Sequence, residues 1–72
     1  MLRFKLKERI ADMEFHQRRR VTLIEIAERT GIGRITLSRM LHHSNMVRSG
    51  TLDRLCAFFD CRIEDLVEYI PD

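Results

Sequence analysis

Between Val21 and Leu41 the chain carries two short helical signals on either side of a glycine, and no other stretch limits the fold so sharply. Thr22 with Glu25 three residues later is a capping-box pattern, in which each side chain serves an orphan backbone N–H. Val21 before the cap and Ile26 at the fourth helical position form a hydrophobic staple. A helix is therefore expected from Leu23 to about Thr30, because Gly31 suits the left-handed position just past a helix end. The next helix starts behind Gly33 as N-cap, shows Leu37, Met40 and Leu41 on one face, and is expected to end near Ser44 and Asn45. Ala27 is small where the two helices must approach, and Ile26, Ile32, Leu37 and Met40 point between them.

Two short helices joined by a tight glycine-containing turn make a helix-turn-helix. Helical periodicity also dominates the rest of the chain. Leu6, Ile10 and Met13 lie on one face of a first helix expected from about Arg3 to Gln17, whereas Leu2, Phe4 and Phe15 fit no face. A fourth helix is expected from a Ser49 cap to Phe58 or Phe59, through Leu52, Leu55 and Cys56. A fifth is expected from Ile63 to about Tyr69, with Leu66 and Ile70 inward and Pro71 as the stop. Arg62 is a poor cap for it, although Asp65 can reach back to the cap position. No strand-like alternation persists between turn signals.

The 72 residues suffice for one domain over 1–72, with marginal stability that dimerisation would raise. No apolar run reaches the roughly 20 residues of a membrane helix. The segment Met1 to Lys7 lacks the continuous apolar core of a signal peptide, so a cytoplasmic location is expected. The formal charge of +2 is unevenly placed. Through Thr51 there are eleven Lys or Arg against five Asp or Glu; from Leu52 onward there are two against six. Such asymmetry suits a chain with one face toward a polyanion and the other, here helices four and five, turned away. No acidic residue lies between Arg29 and Arg48.

The segments Thr22-x-x-Glu25-Ile26-Ala27, Thr30-Gly31-Ile32-Gly33 and Leu37-Ser38-Arg39-Met40-Leu41 resemble the Cro/repressor (XRE-like) helix-turn-helix regulators. Leu52-Asp53-Arg54-Leu55-Cys56, Asp60-Cys61 and Glu64-Asp65-Leu66 extend the resemblance over about Arg3 to Ile70. Departures fall at His43, where the family often has Gly, and at Arg62, in place of a Ser or Thr cap. The resemblance implies a compact all-α, five-helix, lambda-repressor-like domain with the helix-turn-helix at helices 2 and 3. It further implies operator DNA as the partner, usually bound by a dimer.

The outward face of the third helix follows from geometry alone. At about 100° per residue, Leu37, Met40 and Leu41 set the core direction, and Ile35, Arg39 and His42 lie opposite. Thr36 and Ser38 flank that face, and Arg34 projects from the helix start, the end that meets base edges in this motif. Arginine grips the O6/N7 pair of guanine, and Ile35 suits a thymine methyl. Base contacts are expected from Arg34, Ile35, Thr36, Ser38 and Arg39. Phosphate contacts are expected from Arg18, Arg19, Arg20, Thr22, Leu23, Gly33, His42, His43, Ser44, Asn45 and Arg48, which flank the two helix starts and the end of the third helix.

Other chemistries find less support. His42, His43, Cys56 and Cys61 have spacings that match no metal signature, and Cys56 sits on an apolar face as a small hydrophobe would. No phosphate loop, activated nucleophile or carboxylate pair is present, so neither an enzyme nor a cofactor is expected. No small-molecule effector site is evident. The alternative in another class is a protein-binding module, such as the antitoxin half of a toxin–antitoxin pair.

Overall fold

In the computed structural model, residues 1–42 and 47–71 are described. The elements run β1 (Leu2–Phe4), α1 (Leu6–Gln17), α2 (Leu23–Thr30), α3 (Arg34–Leu41), α4 (Ser49–Phe59), α5 (Ile63–Leu66) and β2 (Val67–Tyr69). Among the described residues five helices carry the fold, as the sequence leads one to expect. The two short strands were not expected. β1 pairs antiparallel with β2 in the register Leu2 with Tyr69, Arg3 with Glu68, and Phe4 with Val67.

This ribbon corrects both ends of the chain. The first helix starts at Leu6 rather than Arg3, and the fifth ends at Leu66 rather than Tyr69. Lys5 donates its N–H to the Leu66 carbonyl at 2.6 Å, so the backbone demand of the strand ends is met by pairing across the ribbon. Arg3 fastens the ribbon to α1 by bridging Glu68 on β2 and Glu8, the latter at 2.6 Å. Phe4, which fits no helical face, is 3 % exposed and belongs to the core. Ile70, expected inward, is 38 % exposed.

The core is Phe4, Leu6, Val21, Ile26, Ile32, Leu37, Met40, Leu55 and Leu66. Every helix contributes at least one fully buried side chain, so each helix is oriented by the same apolar centre. Ala27 packs against this cluster at the α2–α3 contact. The stretch between α1 and α2 is held from below: the Glu14 carboxylate accepts from Val21 N at 2.9 Å while Val21 is buried. Arg18 takes the left-handed conformation that ends α1.

α2, the turn and the start of α3 follow the expected boundaries. Thr22 Oγ1 accepts from Glu25 N at 3.2 Å, and both staple residues, Val21 and Ile26, are in the core. The reciprocal half of the capping box is replaced, because the Glu25 carboxylate is turned to Arg19. Gly31 has φ 77° and donates to the Ala27 carbonyl at 2.9 Å. Thr30 Oγ1 donates to the Ile26 carbonyl at 2.6 Å and accepts from Ile32 N at 3.2 Å, so one hydroxyl stitches the turn to the helix before it. α3 ends at Leu41, earlier than expected, with His42 as its cap. α4 has Arg48, not Ser49, at its N-cap, and ends at Asp60 in the left-handed conformation. At α5 the expected reach-back is present, with Asp65 Oδ2 accepting from Arg62 N at 3.1 Å.

Candidate nucleic-acid interface

Burial of Leu37 and Met40 fixes the rotation of α3, and the opposite side is left to solvent. Arg34, Ile35, Ser38, Arg39 and His42 are all exposed on it, with Ile35 at 70 %. Thr36 is half-buried at its margin. α3 is eight residues long, and a helix with its side chains is about 10–12 Å across, which a B-DNA major groove about 12 Å wide admits. The Gly31 turn joins the end of α2 to the start of α3, and the start of α2 shares a pocket with the start of α3. Thr22, Leu23, Ile24, Gly33, Arg34, Ile35 and Ser38 line one open pocket of about 670 Å³ between them.

Both helix starts retain donors. Gly33 gives α3 no side-chain cap, and Thr22 serves only Glu25 N in α2. Apart from Glu25 N, the first N–H groups of each helix therefore have no side-chain cap and carry partial positive charge, the arrangement that receives phosphate oxygens. Thr22 is exposed and Leu23 is half-buried.

The cations divide into two kinds. Among the described residues, no carboxylate pairs with Arg18, Arg20, Arg34, Arg39 or Arg48, and all five are exposed. Arg19 differs. Its guanidinium spans the Glu25 carboxylate at 2.6 and 2.7 Å and also donates to Gln17 Oε1 at 2.9 Å. The hydrogen bond from Arg19 holds the Glu25 carboxyl below the usual carboxylate range, and Arg29 at 3.5 Å adds to this. Arg19 is thus engaged where Arg18 and Arg20 are not, and its charge is largely balanced before any polyanion arrives.

The structure therefore brings together Thr22, Leu23, Gly33, Arg34, Ile35 and Ser38 on one surface, with Arg39 and His42 farther along α3. His43, Ser44 and Asn45 lie outside the described residues. Arg48 stands beyond them at the start of α4. Ile24 was missed by the sequence reasoning. It is 52 % exposed beside Ile35, and its signal was available: it is apolar yet lies off the Leu23, Ile26, Ala27 and Thr30 face of α2.

No group of three or more His, Cys, Asp or Glu positioned to hold a metal occurs among the described residues, and no described helix is long and apolar enough to cross a membrane. Neither a curated protein nor a solved structure matches the chain. A family profile does: residues 5–72 match the Cro/C1-type HTH DNA-binding domain. With nearly its whole length matched, and with α2, the Gly31 turn and an open-faced α3 in place, the chain belongs to the Cro/C1-type helix-turn-helix DNA-binding family.

Proposed function

We propose that this chain is a sequence-specific transcription regulator that binds double-stranded operator DNA as a homodimer and acts in the cytoplasm. One observation carries the proposal: the solvent face of α3 presents Arg34, Ile35, Ser38 and Arg39 without an acidic residue and without ion-pair partners among the described residues. On this reading Arg34 and Arg39 read guanine edges, Ile35 meets an apolar base edge, and Ser38 and Thr36 donate or accept at the flanks. Phosphates are held by the N–H groups at Thr22, Leu23 and Gly33 and by Arg18, Arg20 and Arg48. His42 extends the same line. Arg19 joins these only by loosening its hold on Glu25.

A homodimer sets two α3 helices about one DNA turn, roughly 34 Å, apart on a two-fold symmetric site. Selection from random duplexes tests affinity, base preference and symmetry together. The expected result is an enriched site of two inverted halves. Recovery of no enriched motif contradicts the proposal, and an enriched site without symmetry contradicts the homodimer.

A further inference from the structure

We infer that Ile24 and Ile35 together form a seat for the 5-methyl group of a pyrimidine in the major groove, so that this face distinguishes thymine or 5-methylcytosine from their unmethylated counterparts. The inference rests on the DNA-binding proposal above and adds to it a second residue, on a different helix, and a specific chemical group.

The two isoleucines come from adjoining helices and line the same pocket, at 52 % and 70 % exposure. A single exposed isoleucine is ordinary; two converging at the start of the α3 face leave an apolar floor in the one place the proposal needs a base edge. Isoleucine is stiff at χ1 in a helix, so the floor is preformed and little side-chain freedom is lost when it is covered. Neither side chain donates or accepts a hydrogen bond. What they can discriminate is bulk and polarity at carbon 5, where thymine and 5-methylcytosine carry a methyl and uracil and cytosine a hydrogen.

The rim selects the same partner. Among the described residues that line the pocket, Arg34 is the one ionisable group, and it is a cation. Thr22 and the open start of α2 lie on the other wall, and the Ser38 hydroxyl stands beside the floor. An apolar floor within a positive and hydrogen-bonding rim is complementary to a methyl group carried by a polyanion. It is ill matched to a cationic peptide.

The test uses the full chain and the site recovered by selection, with each thymine replaced in turn by deoxyuridine. At one position in each half-site, loss of the methyl should weaken binding about fourfold, and about fifteenfold when both halves are changed, the worth of one buried methyl per half. At that position 5-methylcytosine should exceed cytosine by a similar factor; preference for thymine over uracil without this gain assigns the seat to thymine alone. Ile24→Ala and Ile35→Ala should each bring the thymine-to-uracil ratio toward one while keeping wild-type thermal unfolding, since both side chains lie largely in solvent. Equal affinity for thymine and uracil duplexes at every position overturns the inference while leaving the DNA-binding proposal intact, and so does discrimination that persists in both variants. Failure to bind any selected duplex overturns the proposal beneath it.

Discussion

Replacing Gly31 by alanine should destabilise the fold, whereas the same change at Gly50 should not. Gly31 ends α2 at φ 77° and ψ 7°, a left-handed conformation. A Cβ built there meets only Arg54 Nη1, at 3.8 Å, which is ordinary van der Waals contact. The cost is therefore conformational, about 1–2 kcal/mol for a Cβ in this region. Alanine also restricts the unfolded chain, which returns about 0.4–1 kcal/mol. The net loss is about 0–1.6 kcal/mol, centred near about 0.8 kcal/mol, which is roughly 3–6 °C in Tm for a domain of this size. Asparagine, which tolerates the left-handed region, should lose less than alanine. Gly50 lies in the first turn of α4 with nothing within 4 Å of its Cβ position, so Gly50→Ala should gain up to about 1 kcal/mol. Urea unfolding of the three variants, with an unchanged slope, reads these differences as midpoint shifts. A gain for Gly31→Ala would refute the left-handed cap. A loss above about 3 kcal/mol would mean that a steric clash, not strain, dominates.

Arg39→Ala should weaken binding to the selected site by about 1–3 kcal/mol and relax preference at one base, whereas Arg20→Ala should weaken all duplexes alike and flatten the salt dependence by about one charge. Salt-series anisotropy separates the two; the reverse pattern would exchange their roles. Because the Glu25 carboxyl titrates below its unfolded value, mainly through the hydrogen bond from Arg19, its contribution to stability is complete above the ordinary glutamate range and is lost as pH falls through the lower folded value. The Glu25 side-chain carbon shift should titrate low and move up in Arg19→Ala; an unchanged midpoint would dismiss the pair. Burial, followed by the neighbouring Cys56, pushes the Cys61 thiol up to about 11. Its contribution to stability is therefore present below the ordinary thiol range and lost as pH rises through about 11. At pH 8 this leaves about a hundredfold fewer thiolates, offset about tenfold by their greater nucleophilicity, so iodoacetamide should label Cys61 about tenfold more slowly in the native protein than in urea. Equal rates would contradict the burial.

The α2–turn–α3 unit was legible because its signals are local. A Thr cap, a left-handed glycine and apolar residues at a 3.6-residue period each act over one or two turns, and together they placed Leu23, Thr30 and Arg34 correctly. The ribbon was hidden for the opposite reason. Phe4 and Val67 pair across almost the whole chain, and three-residue strands hold too few positions to show a period of two. Val67 to Tyr69 continued a helical pattern until a partner 60 and more residues away offered backbone hydrogen bonds. Glu25 shows the limit of a local rule. Its reach back to Thr22 is sound for an isolated helix, but the Arg19 guanidinium competes for the carboxylate with two charge-assisted bonds. At the interface, geometry around Leu37 and Met40 correctly exposed Ile35, Arg39 and His42, while Ile24 was hidden because it lies on α2 and joins the α3 face only through the tertiary packing of the two helices.

α3 is the element proposed to enter DNA. Its most direct test is an amide map of the labelled protein as the selected duplex is added. The largest shifts are expected from Thr22 to Ile24 and from Gly33 to His42, with the paired strands Leu2–Phe4 and Val67–Tyr69 little changed. Shifts concentrated on the strands or on α5, with α3 undisturbed at saturation, would contradict it.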